Sequence, residues 1–391
     1  MKKMKIGIFM DDFYPSINGV ISVMDNYAKR LAKIADVVIV VPYVDKHYSD
    51  NFPYKVIRVK SHRLHILDYH LGTFKLDKKT EQQLLDEKFD IIHIHSPFML
   101  GYHGVRLAKK LNIPCIATMH TQFYLEFKRY SKSDFISRQL TKMIMKVFNS
   151  CYKCYAVNDA VADLYVTYGA KERPGVLPNG TEFKLLLNGA LTDREINKKY
   201  ELDKDETVLL FLGRVNLLKN ILFIVDVAKV LKDKGFKFKL MFVGTLEDGD
   251  KLIKKINDLG LSNDVIITGK VMDRDLIAKI YHRANLFVFP SLYDASSIVQ
   301  IEASSQKTPT IFIEGATTAC SVVNNKNGFL APNDATLFAN RIIEIFNDKK
   351  LYKEVSEGSY KDLYRHWDDL TKETYKEYQR IIKEYKQKNQ K

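Results

Sequence analysis

Residues 284–315 read ANLFVFPSLYDASSIVQIEASSQKTPTIFIEG. The run LFVFP has the length and apolarity of one buried strand, and it stops at Pro290-Ser291. A polar loop holding Asp294 follows, and the segment from Ile298 to Ser305, free of Pro and Gly, suits a helix. TPTIFIEG then supplies a second apolar strand. A strand, a loop at its carboxyl end and a helix starting there form the place where open α/β sheets bind phosphorylated ligands. The first N–H groups of the helix have no partner within it and point outward. Asp294 lies in that loop and Glu302 about one turn inside the helix, so both carboxylates belong to one mouth. Carboxylates grip phosphate poorly but accept charge-assisted hydrogen bonds from hydroxyls. Amide donors for phosphate beside acceptors for hydroxyls suit a nucleotide sugar. The plainer alternative makes Asp294 a helix cap and Glu302 a solvated surface acid.

Upstream, KIGIFM (residues 5–10) is a short buried strand followed by a loop whose Asn18-Gly19 opens an amphipathic helix, a Rossmann-like beginning. Lacking a Cβ, Gly19 lets the backbone approach a diphosphate and aim an N–H at it; an ordinary tight turn is the alternative. Strand candidates continue in DVVIVVPY, YKVIRVK, FDIIHIHS, IPCIATMH, CYKCYAVND and PGVLPNG, with helical patterns between most of them. That alternation predicts a parallel, doubly wound sheet. It restarts after a charged passage with TVLLFLGR, FKLMFVG, VIITGKV, LFVFPS and TPTIFIEG. The expected organisation is α/β: a first Rossmann-like domain over residues 1–182, a second over 183–370, and a cleft between them. Tyr375, Tyr378, Ile382 and Tyr385 recur at helical spacing, which predicts a last helix of about residues 371–391 crossing back to the first domain.

The chain's 391 residues, 46% of them hydrophobic, are enough to fill two cores. No stretch approaches the roughly 20 apolar residues of a membrane span, and the first residues do not form a signal peptide. Four cysteines in a chain of this size suit a reducing cytosol. The net charge of +14 is uneven: residues 1–180 hold 27 Lys and Arg against 17 acids, and the remainder 34 against 30. A first half at +10 expects an anionic partner.

At LFLGRVNLLKN (residues 210–220) the assembled motifs resemble the family-4 retaining glycosyltransferases of the GT-B architecture. The resemblance runs over most of the chain, through the Asn-Gly loop, HIHSPF, TMHTQF, VLPNGTEF, ITGKV, PSLYDASSIVQIEASS and NNKNGFLAP, to the helix after His366-Trp367-Asp368. It implies a UDP- or GDP-sugar donor held by the second domain, an acceptor entering from the first, front-face attack and no required metal ion or other cofactor. Carried over residue by residue, Arg214 and Lys219 clamp the donor diphosphate and the Gly19 amide meets it. Glu302 takes the ribose hydroxyls and Asp294 the transferred sugar. Lys270 and Val271 face the base, Ser297 and Ile298 open the helix toward the donor, and His120 stands at the reacting centre. Two cations would neutralise the leaving diphosphate as charge develops. The chain departs from the family pattern at Asp294, where Glu is usual, and at Ser297 and Lys307, near which glycine is usual.

Other signals have plainer readings. Cys151-Tyr-Lys-Cys154 falls at a helix-to-strand passage without a second such pair, which suits a structural role. His93 and His95 alternate along a strand and face one side as wall residues. Asp273-Arg274-Asp275 resembles a metal-binding triplet but fits a cap for the helix DLIAKIYHRA. Between Lys128 and Lys153 lie seven basic residues and one acid, with Arg138, Lys142 and Lys146 on one helical face among Phe135, Ile136, Leu140, Met143, Ile144, Val147 and Phe148. Two readings stand: a surface helix with its apolar side in the core, or a helix resting on anionic lipid.

The expected activity is thus a retaining hexosyltransferase acting in the cytoplasm, peripheral to the inner face of the cell membrane, on a lipid or lipid-linked saccharide of a bacterial envelope. Extension of a capsular or exopolysaccharide chain is the alternative within the class, and a non-catalytic GT-B partner subunit the alternative outside it. Nucleic acid is not an expected partner, because basicity alone, without a recognisable module, does not make a binder.

Overall fold

The computed structural model describes residues 3–16, 18–44, 48–64, 69–72, 76–292 and 294–389. The chain divides into two compact units, Met1–Asn179 with Trp367–Lys391, and Gly180–His366.

The first unit is built on a seven-stranded sheet of β1 (Lys5–Phe9), β2 (Asp36–Pro42), β3 (Lys55–Val59), β6 (Ile91–Ile94), β7 (Cys115–Met119), β8 (Lys153–Ala156) and β9 (Gly175–Val176). Every pairing is parallel, in the order β3-β2-β1-β6-β7-β8-β9. Its central strands are buried throughout, as expected where crossover helices cover both faces. A short antiparallel hairpin, β4 (Ser61–Leu64) with β5 (Tyr69–Gly72), stands apart from the alternation. Its sequence, rich in His and Arg, carries no apolar run to announce it.

The second unit holds β10 (Thr207–Leu212), β11 (Phe238–Val243), β12 (Val265–Gly269), β13 (Leu286–Val288), β14 (Thr310–Ile313) and β15 (Phe329–Ala331). They form a parallel sheet in the order β12-β11-β10-β13-β14-β15. β15 is three residues long and sits behind the Asn-rich NNKNG, so no apolar run marks it. β10 and β11 end at Gly213 (φ 151°) and Gly244 (φ 145°), and a Cβ on Gly244 would stand 1.7 Å from the Gly213 carbonyl oxygen. Only glycine permits that approach.

In each sheet the strand order reverses beside the first strand, β1 or β10, and open α/β sheets bind ligands at such switch points. In the first unit the loops there follow β1 and β6, and in the second they follow β10 and β13.

The C-terminal helix Trp367–Asn389 belongs to the first unit and starts four residues before the expected 371. Its buried face is Trp367, Leu370, Thr371, Thr374, Tyr378 and Ile381. Of the four residues expected to dock, only Tyr378 is deeply buried; Tyr375, Ile382 and Tyr385 are half-buried. Two threonines occupy core-facing positions that an apolar pattern passes over. The Trp367 ring packs 4.9 Å from Tyr27, and Asp368 pairs with Arg30 at 2.7 Å.

Candidate active site

In the second unit, the switch-point loops bring Lys219 and Asp294 together. Asn216 caps the short turn Leu217–Lys219, its side chain accepting from the Lys219 amide. The Lys219 side chain turns inward, 9% of the residue exposed, and its Nζ bonds to Asp294 Oδ1. Ser291 Oγ donates to the other Asp294 oxygen at 2.7 Å. Lys219 is therefore no solvated surface cation. Arg214 is exposed and pairs with Glu247 at 3.5 Å. Asn216 Nδ2 also donates to Glu247, at 2.7 Å.

Asp294 does not cap the following helix. That helix, Ile298–Ser305, is capped by Ser297, whose side chain accepts from the Gln300 amide at 3.2 Å. Ser297 has φ −96°, a conformation open to any residue, so no glycine is required there. Lys307, just past the helix, does adopt a left-handed conformation (φ 62°). Its ammonium bonds to Glu357 at 2.8 Å, and its carbonyl accepts from Ser356 Oγ.

Glu302 is not a solvated acid. It is 5% exposed, and its Oε1 accepts from Arg274 Nη2 at 2.6 Å and its Oε2 from the Tyr281 hydroxyl at 3.1 Å. Burial pushes the carboxyl above its ordinary range, while Arg274 and Tyr281 pull it back. Arg274 opens the helix Arg274–Arg283, whose cap is Asp273, as the triplet's plainer reading expects. Lys270, exposed, and Val271, half-buried, follow Gly269, which ends β12 at φ 70°.

In the first unit, Gly19 is the first residue of the helix Gly19–Leu31, capped by Asn18. His120 follows β7, and its Nε2 lies 2.9 Å from His95 Nδ1. The rings of His95 and His93 are 3.9 Å apart. His93 in turn is held at both nitrogens, by the Tyr378 hydroxyl at 2.6 Å and Thr118 Oγ1 at 2.8 Å. These residues line a small pocket, into which Met24, Leu177 and Asn179 also face. Burial holds the three imidazoles neutral at pH 7: His93 is pushed down to about 3, His120 to about 4, and His95 well below its ordinary value. The wall reading of His93 and His95 misses that His95 is bonded to His120, and that its buried Nε2 has no hydrogen-bond partner among the described residues.

Two family models match the chain: "Glycosyltransferase Family 4" over residues 17–184 and "Glycosyl transferases group 1" over 192–362. The chain belongs to the group 1, family-4 glycosyltransferases. Among relatives, the alpha-monoglucosyldiacylglycerol synthase of Streptococcus pneumoniae is 26% identical over 314 residues, 79% of this glycosyltransferase and 70% of that protein. An Escherichia coli UDP-Gal:alpha-D-GlcNAc-diphosphoundecaprenol alpha-1,3-galactosyltransferase is 26% identical over 294 residues, 72% of this chain and 70% of that one. Among solved structures, Anabaena HepE in complex with UDP matches with a TM-score of 0.75 at 15% identity, covering 95% of this chain and 99% of that one. The fold is GT-B.

The basic segment of this glycosyltransferase is two helices, Phe123–Ser131 and Asp134–Phe148, not one. The second turns Ser137, Thr141, Ile144, Met145 and Phe148 inward. Ser137 and Thr141 fit the buried face because each hydroxyl donates to the carbonyl four residues back. The outward face carries Arg138, Lys142 and Lys146 beside Phe135 (71% exposed), Ile136 and Met143. Three apolar residues assigned to the core by the surface-helix reading are thus in solvent. Lys128 is neutralised by Asp134 at 2.6 Å. Among the described residues no helix is long and apolar enough to cross a membrane. The Cys151 and Cys154 thiols donate to the Val147 and Phe148 carbonyls; the hydrogen bond with Cys115 raises the Cys151 thiol pKa, and the one with Cys151, with burial, raises that of Cys154.

Arg274, Tyr281, Ser291 and Tyr378 hydrogen-bond to candidate site residues or to the histidine cluster without being singled out for that by sequence. Arg274 stands inside a helix-capping triplet and Tyr378 inside the tail's docking stripe, and each position has that sufficient local explanation.

Proposed function

We propose that this glycosyltransferase moves a hexosyl group, with retention and without a required metal ion, from a UDP- or GDP-sugar to a lipid or lipid-linked saccharide of a bacterial envelope. The observation that carries the reading is the buried Lys219 ammonium against Asp294 at the switch point of the second unit, a cation beside a hydroxyl acceptor. In this reading Lys219 and Arg214 neutralise the leaving diphosphate, Glu302 meets the ribose, Asp294 the sugar, and Ser297 and Ile298 present amides. Lys270 and Val271 face the base. The first unit binds the acceptor, with Gly19 and His120 acting on the donor's diphosphate and sugar. The relatives named for diacylglycerol and diphosphoundecaprenol products support a lipid or lipid-linked acceptor, and UDP in HepE supports a uridine donor.

A panel of UDP-, GDP- and ADP-sugars, scored by thermal shift and by slow hydrolysis, tests the donor class. A ligand at 100 times its Kd adds about 2.7 kcal/mol of stability, so a true donor separates from the rest. A flat panel rejects the reading.

The exposed face with Arg138, Lys142, Lys146, Phe135 and Met143 supports a peripheral position on the cytoplasmic face of the membrane. Each basic residue near anionic lipid contributes about 1 kcal/mol, and buried apolar side chains add to that. The protein should sediment with phosphatidylglycerol vesicles at 0.1 M salt and release at 1 M, where the Debye length falls to about 3 Å. Reversing Arg138, Lys142 and Lys146 to Glu should abolish sedimentation and leave nucleotide binding unchanged. Failure of the wild type to sediment at 0.1 M salt would remove the membrane from the proposal, and equal sedimentation of both proteins would remove this face from it.

A further inference from the structure

We infer that Arg274 is a positioning residue for the donor: it holds Glu302 in place and in its charged form, so that the carboxylate accepts hydrogen bonds from the ribose. The inference rests on the reading in which Glu302 meets the ribose.

Glu302 is almost wholly shielded from water, and a carboxylate left alone in such a place takes up a proton. A protonated carboxyl is a weaker acceptor and directs an O–H of its own at the ligand. Arg274 prevents this with a permanent charge and one N–H to Oε1, while Tyr281 donates to Oε2. Each carboxylate oxygen has room for a second hydrogen bond, so two acceptor directions are left, the number a vicinal diol uses. The guanidinium is itself fixed. Its Nε donates to Glu182 Oε1 at 2.7 Å, and its plane lies 4.3 Å from the Phe183 ring centroid. Among the described residues, the charged or titratable groups that face Glu302 are therefore Arg274 and Tyr281 from the helix Arg274–Arg283 and Glu182 from the stretch that opens the second unit. Glu182 opposes ionisation of Glu302 by charge but anchors the arginine that favours it. A lysine at 274 would keep the charge and lose the fork that spans both acids.

The test is calorimetric binding of UDP and GDP, each against its 2′,3′-dideoxy form, from pH 5.5 to 8.5, for the wild type, Arg274→Gln, Arg274→Lys and Glu302→Gln. The wild type should prefer the ribonucleotide, with a preference independent of pH. In Arg274→Gln the preference should fall at least tenfold at pH 6 and return as pH rises, because Glu302 then ionises only above its raised pKa. Its affinity for the 2′,3′-dideoxy form should not change, which also reports that the unit is folded. Arg274→Lys should recover most of the preference at pH 7. An undiminished, pH-independent preference in Arg274→Gln overturns the inference. So does an equal loss for both nucleotide forms, which would mark a structural role. A wild type without preference, or an unchanged Glu302→Gln, instead rejects the ribose reading beneath it.

Discussion

Lys219→Ala is expected to lower kcat/KM by about a hundredfold to a thousandfold, the loss seen when one preorganised group facing developing transition-state charge is removed. Two effects add. The diphosphate loses a cation held in a partly buried site, where it acts more strongly than in water. Asp294 loses its ammonium partner while the bond from Ser291 remains, and its carboxylate then repels the phosphates. Calorimetry with UDP and GDP should show weaker binding by tenfold or more. In the double variant Lys219→Ala with Asp294→Ala part of that affinity should return, since the repelling carboxylate is gone. Unaltered nucleoside diphosphate affinity in the single variant would remove Lys219 from the donor site.

His120→Ala should lower turnover by more than tenfold with little change in melting temperature. The imidazole sits at the pocket's edge, bonded through Nε2 to His95, and is protonated only below about pH 4. It therefore acts as a neutral hydrogen-bonding group, and its titration should be absent from the kcat profile between pH 6 and 8. Removing the imidazole enlarges the pocket beside it, and water in the enlarged space takes up the bond that His95 loses, which limits the stability cost. A drop of many degrees in the melting temperature, or full activity, would assign His120 to packing.

The alternation of strand and helix was legible because strands covered on both faces read as unbroken apolar runs, as in LLFL of β10 or VVIVV of β2. The β4–β5 hairpin and β15 lacked such runs. For the candidate site, local sequence marked Asp294 and Glu302 and the family resemblance marked Lys219 and His120, each of them singly. What it could not give was who holds whom. Lys219 and Asp294 are 75 residues apart, Arg274 and Glu302 28, and His93 and Tyr378 285. No periodicity links such pairs; only the folded sheet order does. The outward turn of Phe135 and Met143 was hidden for a related reason, because serine and threonine took the inward positions by bonding to their own helix.

The second unit is one continuous stretch, whereas the first is completed by a helix that lies beyond it in the chain. A ribosome must therefore translate all of Gly180–His366 between β9 and Trp367, an interval on the order of 10–40 s at roughly 5–20 residues per second. Throughout it, the ring of Tyr27 has no Trp367 to cover it and His93 has no hydroxyl from Tyr378. The second unit can finish first, and the histidine cluster closes only as the last helix leaves the exit tunnel. A chain cut short before Tyr378 would carry a complete second unit and an unfinished first one, with apolar surface left for chaperones and proteases to find.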